Sequence, residues 1–167
     1  YGWASAGRFH HAQSQLHRFM NSFGGYTKSV GTYSYAASET IIPHVIGMSY
    51  YEFLDHHTDW DCIRDNSSLI LMFGGLPLKN SQVTSGGVGC HTTKQYLKAC
   101  YEKGVKFINI NPMKVDSDEI TQATHIPIRP GTDTALMIAI AYVLETRDLI
   151  DRDFLATHCV GYPQFKK

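Results

Sequence analysis

A serine that leads into a helix just behind a glycine is a residue type and position that can do chemistry. The chain holds one in Gly31-Thr32-Tyr33-Ser34-Tyr35-Ala36-Ala37-Ser38-Glu39. The spacing predicts a helix from Tyr35 to Ile46 closed by Gly47, with Ser34 at or near its N-cap, where the unpaired N–H groups of the first turn favour negative charge. Two roles are open to that side chain. It can cap the helix, or, deprotonated, it can be an oxygen ligand held by the turn in front of an oxophilic metal. The stretch itself does not choose between them. Other chemistry-bearing residues carry weaker patterns. His10, His11 and His17 sit on one expected helix without the i, i+4 spacing and intervening glutamate of a zinc helix, so ordinary hydrogen bonding accounts for them. Cys62, Cys90, Cys100 and Cys159 are scattered with no CxxC pair, which disfavours a zinc site or an iron–sulfur cluster built from this segment.

The elements that must position such residues follow from periodicity. Ser5 to Asn21 reads as an amphipathic helix, with Phe9, Ala12, Leu16, Phe19 and Met20 on one stripe and Gly24-Gly25 as its stop. Pro43 should kink or end the helix after Ser34. Tyr50 to Asp65 reads as an irregular connection or a short helix. Ser68 to Phe73 is a continuous apolar run, the pattern of a strand buried on both faces. Thr92 to Lys103 has helical spacing and stops at Gly104. Val105 to Ile110 reads as a second strand and His125 to Ile128 as a third. A long apolar helix from Thr134 to Thr146 has Thr132 as its expected N-cap, and a further helix is expected within Asp148–His158. The predicted class is therefore α/β: an open, mainly parallel, Rossmann-like sheet flanked by helices. Residues 1–66 form an expected helical segment and residues 67–167 the sheet-bearing part.

Sheets of this kind bind ligands beyond the carboxyl ends of their strands. Three polar, Gly- and Pro-rich segments fall there: Gly74 to Gln82, Asn111 to Lys114 and Arg129 to Asp133. Their loop amides and a helix N-terminus can cradle phosphate, so a nucleotide-like ligand is expected. No GxGxxG follows the first strand and no GxxxxGK[ST] occurs, which disfavours the usual dinucleotide and P-loop sites; Gly86-Gly87-Val88-Gly89 is too short and badly placed to replace them.

The balance of 15 basic against 15 acidic residues gives no electrostatic footprint for nucleic acid. No apolar run approaches the roughly 18 residues of a membrane span. The chain starts at Tyr1 and its last residues close no expected element, so it reads as a segment of a longer protein.

Taken in order, Tyr1-Gly-Trp-Ala-Ser-Ala-Gly-Arg-Phe-His10, Gly24-Gly25-Tyr26, Gly31-Thr-Tyr-Ser34, Pro77-Leu-Lys79-Asn-Ser-Gln82, Asn111-Pro112 and Arg129-Pro-Gly-Thr-Asp133 resemble the dimethyl sulfoxide reductase family of molybdenum enzymes. Within that family the likeness is to the S- and N-oxide reductases acting on biotin sulfoxide, methionine sulfoxide, dimethyl sulfoxide or trimethylamine N-oxide. The resemblance covers nearly the whole chain. It implies a large multidomain molybdoenzyme with molybdenum held by two molybdopterin guanine dinucleotides and one protein ligand, here Ser34. A hard alkoxide suits an oxophilic high-valent metal. By the same resemblance the Trp3 indole N–H hydrogen-bonds the metal-bound oxygen and the Tyr1 phenol donates to the substrate oxygen. Tyr1, Gly2, Trp3, Ala4 and Ser5, then Lys79, Ser81 and Gln82, then Asn111 and Pro112, then Gly131, Thr132 and Asp133 would contact the cofactor. Asn111 stands where the family often has an aspartate, so that contact changes in kind. The implied activity is oxygen-atom transfer, reducing an S-oxide or N-oxide to the sulfide or amine with release of water. The implied electron donor is a c-type cytochrome or a quinol-oxidising membrane protein, in the periplasm or alternatively the cytoplasm. Two rival readings remain: a nicotinamide-type nucleotide-binding oxidoreductase domain, and a non-catalytic α/β module of a molybdoenzyme-like subunit.

Overall fold

The apolar run Leu69–Phe73 forms β1 and pairs in parallel with β2 (Lys106–Ile110), which pairs in parallel with β3 (Thr124–Ile126), in the spatial order β1-β2-β3. These coordinates are a computed structural model describing residues 11–82 and 90–167. Parallel neighbours cannot be joined by a tight turn, so each pair needs a crossover. A helix over Thr93–Glu102 follows β1, and a short one over Ser117–Thr121 follows β2. In chain order the described helices are α1 (Ala12–Ser22), α2 (Ala36–Ile46), α3 (Tyr50–His56), α4 (Trp60–Asn66), α5 (Thr93–Glu102), α6 (Ser117–Thr121), α7 (Asp133–Thr146), α8 (Arg152–His158) and α9 (Tyr162–Phe165). A 3₁₀ turn spans Leu78–Gln82. None of these helices is long and apolar enough to cross a membrane.

The core lies on one face of the sheet. Met72, Leu97, Cys100, Val105 and Phe107 are buried there, with Trp60, Ile63, Ile70, Leu76, Leu78 and Ala123 packed around them. α4 and α5 cover that face. Trp60 stacks on Tyr96 with ring centroids 5.9 Å apart, and Asp65 accepts two bonds from Arg64 at 2.9 Å and one from Lys103 at 2.7 Å. On the opposite face Leu69, Leu71 and Ile126 remain exposed. β1 is thus not buried on both faces as its composition predicts. It is an edge strand, and none of the described helices covers its second side.

The Arg64 guanidinium, aided by Lys103, holds the Asp65 carboxyl well below its ordinary 3.8. A depressed carboxyl contributes stability that is present above the unfolded value and lost as pH falls through the folded one. Asp65→Asn should therefore loosen the α4–α5 junction at pH 6 and make progressively less difference below about pH 4. Amide exchange of α4 and α5, corrected for intrinsic rates, reads this out; a mutant-to-wild-type difference independent of pH would contradict the assignment.

One local expectation holds, the end of α2 at Gly47, and two change. α2 runs one turn past Pro43 to the left-handed cap at Gly47 (φ 83°), where the Gly47 N–H bonds the Pro43 carbonyl at 3.1 Å. The proline removes only its own N–H, and the helix continues to its glycine stop. The stretch Tyr50–Asp65 resolves into α3 and α4, each started by a side-chain cap: Ser49 accepts from the Glu52 N–H and Asp59 from the Cys62 N–H. α6, unrecognised in a polar stretch, carries three buried polar residues, Ser117, Asp118 and Thr121.

Candidate functional site

Because all three strands run parallel, their carboxyl ends meet at one edge, and the three polar segments leave from it. Gly74 follows β1 and donates its N–H to the Ile110 carbonyl at the end of β2, 2.9 Å away. The Asn111 amide donates to the Gly74 carbonyl at 2.9 Å, which ties the second loop to the first. The Asn111 N–H bonds the Ile126 carbonyl at 3.2 Å, and the His125 Nε2–H donates to the Asn111 carbonyl at 2.8 Å. Those two bonds tie the second loop to the third strand. Beneath the edge, Asn109 is fully buried; its amide donates to Asp118 Oδ2 at 2.7 Å, an oxygen that also accepts the Val115 N–H at 3.1 Å.

The sequence-predicted residues map onto this edge as follows. Lys79 is exposed on the 3₁₀ turn and forms no ion pair among the described residues, while the Ser81 hydroxyl is spent on the Leu78 carbonyl at 2.7 Å. The backbone of Gln82 closes the same turn. Asn111 and Pro112 open the second loop. Gly131, Thr132 and Asp133 form the approach to α7, with Gly131 in the left-handed region (φ 78°) and no atom within 4 Å of the position a Cβ would take. Thr132 stands at the N-cap of α7 but does not cap it, because its hydroxyl donates backward to the Arg129 carbonyl at 2.6 Å. The first-turn N–H groups of a 14-residue helix are therefore left without a side-chain cap beside an open glycine. Such groups attract anions.

Ser34 lies on a different element. The N-cap of α2 is Tyr35, with no side-chain cap bond, so Ser34 stands one residue before the cap and does not fill that role. It is exposed, its N–H reaches Thr32 Oγ1 at 3.3 Å, and its hydroxyl makes no hydrogen bond among the described residues. Gly31 opens the turn at φ 72° with Glu39 Oε2 against it. Glu39 accepts the Tyr51 hydroxyl from α3 at 2.7 Å, and that bond, with Tyr35 beside it as the second cause, pushes the Tyr51 phenol well above its ordinary 10.0. Tyr35 stacks on Tyr50 with centroids 4.8 Å apart, so α3 braces the turn from behind. No hydrogen bond or ion pair among the described residues joins the Ser34 turn to the sheet edge. Tyr1, Gly2, Trp3, Ala4 and Ser5, the first part of the helix expected from Ser5, and the Gly86–Gly89 run lie outside the described residues.

Three edge residues escaped sequence reasoning, Asn109, Asp116 and Asp118, while Gly75 lies within the expected Gly74 to Gln82 segment. Only the buried Asn109 left a signal, as a polar residue in the middle of an apolar strand run.

Residues 1–152 match the family described as Molybdopterin oxidoreductase. The chain is 40% identical over 156 residues to a biotin sulfoxide reductase of Cereibacter sphaeroides, covering 93% of this chain and 21% of that protein. It is 34% identical over 165 residues to a dimethyl sulfoxide/trimethylamine N-oxide reductase of Rhodobacter capsulatus (99% of this chain, 20% of the relative). It is 35% identical over 170 residues to a trimethylamine-N-oxide reductase of Vibrio cholerae (98% and 20%). The chain spans about a fifth of the length of these curated relatives. With the family matched across 152 residues and a parallel sheet whose loops gather at one polar edge, the chain belongs to the molybdopterin oxidoreductase family.

Proposed function

We propose that the protein containing this chain is a molybdenum-dependent S- or N-oxide reductase. The observation that carries the reading is the alignment of 93% or more of the chain with relatives named for sulfoxide and N-oxide reduction. The family implies molybdenum held by molybdopterin. The finer identity, two molybdopterin guanine dinucleotides, is part of the proposal, and the carboxyl edge suits a nucleotide pyrophosphate: uncapped N–H groups at the start of α7, an open left-handed Gly131 and the exposed Lys79 ammonium.

In this reading residues 67–167 hold the cofactor's nucleotide ends and residues 1–66 present the metal ligand, the two parts meeting where α4 packs on α5. Ser34 binds the metal through its uncommitted side-chain oxygen. Trp3 and Tyr1 would supply the hydrogen-bond donors, Tyr1 toward the substrate oxygen and Trp3 toward the oxygen held at the metal. Lys79, Ser81, Gln82, Asn111, Pro112, Gly131, Thr132 and Asp133, with Tyr1 to Ser5, line the cofactor; Asn111, whose amide is committed to Gly74, contributes mainly by fixing the loop. When bound, the cofactor supplies two-electron oxygen-atom transfer, giving the sulfide or amine and water. The respiratory character of that chemistry favours the periplasm over the cytoplasm, with a c-type cytochrome or a quinol-oxidising membrane protein as donor.

The full-length protein, purified with its metal, should contain molybdenum and guanine nucleotide and should reduce a sulfoxide or trimethylamine N-oxide with reduced methyl viologen. A protein carrying the metal with no turnover on either substrate class would sink the reading.

A further inference from the structure

The bonds that set the shape of the sheet edge do not all come from the residues expected to touch a ligand. The Leu78 N–H, the first of the 3₁₀ turn, donates to Asp116 Oδ1 at 2.7 Å, a contact between residues 38 apart in sequence. Asp116 is held in turn: it precedes α6 directly, and α6 is anchored by Asp118, whose Oδ2 takes both the Asn109 amide and the Val115 N–H. Val115 packs back toward Gly75, its Cγ2 only 3.2 Å from where a Cβ on that glycine would be. The chain of contacts thus runs from the buried centre of β2 through α6 to the amide that begins the turn bearing Lys79 and Ser81. The turn's own bonds are local, Ser81 to the Leu78 carbonyl and Asn80 to the Pro77 carbonyl, and neither fixes it against the sheet.

We propose that Asp116 is a positioning residue: by accepting the Leu78 N–H it fixes the Leu78–Gln82 turn on the sheet edge and so sets where Lys79 meets the anionic nucleotide end of the cofactor. This rests on the reading of that edge as the nucleotide site. In this role Asp116 acts through the turn, its Oδ1 taken up by the Leu78 N–H. An acceptor oxygen is what the role requires, and the negative charge is incidental.

The test uses the full-length holoenzyme with Asp116→Ala and Asp116→Asn, the latter keeping an oxygen that can take the Leu78 N–H. Hydrogen exchange should show the 78–82 amides exchanging about tenfold or more faster in the alanine variant, with α4 and α5 unchanged. Guanine nucleotide retained after prolonged dialysis should fall several-fold in the alanine variant and return close to the wild-type level in the asparagine variant. Equal behaviour of the two variants, or wild-type exchange at 78–82 in Asp116→Ala, overturns the positioning role. A wild-type holoenzyme that holds no guanine nucleotide overturns instead the reading beneath it, and the proposal with it.

Discussion

Ser34→Ala in the full-length holoenzyme is expected to abolish oxygen-atom transfer while leaving the protein folded, with a fall of about a thousandfold or more, roughly 4 kcal/mol in transition-state terms. Two observations make the outcomes separable. The hydroxyl makes no hydrogen bond among the described residues and the residue is exposed, so its removal should cost within about 0.5 kcal/mol of stability. A cap would behave differently, since losing one typically costs about 1 kcal/mol. Tyr35, which occupies the N-cap, makes no side-chain cap bond, so Ser34 is left uncommitted on a turn fixed by Gly31 and braced by α3. The metal's absorption and paramagnetic spectra should change in Ser34→Ala, because an oxygen donor is lost. Ser34→Cys should fall between the two, keeping a donor atom but offering a soft thiolate where a hard alkoxide suits the metal. An alanine variant with wild-type rate and spectrum would remove Ser34 from the metal. A variant that loses stability along with activity would return it to a structural role.

How much of this was legible beforehand depends on where each signal lies in the chain. β1 and β2 were readable because a buried parallel strand is a run of apolar residues, and the ligand edge followed from the direction of the strands. The same composition overstated the burial of β1. A sequence shows that a strand can be covered on two sides, and only tertiary structure shows that Leu69 and Leu71 are left open. α6 was missed since a five-residue helix with Ser117, Asp118 and Thr121 inside carries no apolar stripe; Asp118 pairs with Asn109 of β2, and the Thr121 hydroxyl donates to the Ser117 carbonyl of its own helix. Ser34 was placed within one residue of its position. That agrees with a position at or near the N-cap; the capping role itself falls away because the helix begins at Ala36 and Tyr35 is the cap residue. The Asp116–Leu78 bond leaves no local trace, as the partners lie 38 residues apart.

The second large effect belongs to Gly75, and its neighbour Gly74 supplies the control. Both glycines are in the left-handed region, at φ 75° and 85°, so alanine at either meets a backbone cost of about 1–2 kcal/mol. Only Gly75 is also crowded. A Cβ there would sit 2.8 Å from Asn111 Nδ2, 3.2 Å from Asn109 Oδ1 and 3.2 Å from Val115 Cγ2, whereas at Gly74 nothing lies within 4 Å. None of the three neighbours is free to give way cheaply. Asn111 Nδ2 is bonded to the Gly74 carbonyl, Asn109 is fully buried and bonded to Asp118, and the Val115 N–H is bonded to the same carboxylate. Overpacking adds about 1–3 kcal/mol. Gly75→Ala should therefore cost about 2–5 kcal/mol against about 1–2 for Gly74→Ala. Relief of the clash requires Asn111 to swing away from Gly74, which separates the first loop from the second and displaces both from the edge. Gly75→Ala should accordingly lose guanine nucleotide in step with its loss of stability, while Gly74→Ala retains it. Thermal melting and nucleotide content of the two variants, measured in parallel on the full-length protein, decide the matter. Equal losses at both positions would mean that backbone strain alone governs the turn and that the close approach of Gly75 to Asn111 has no energetic weight.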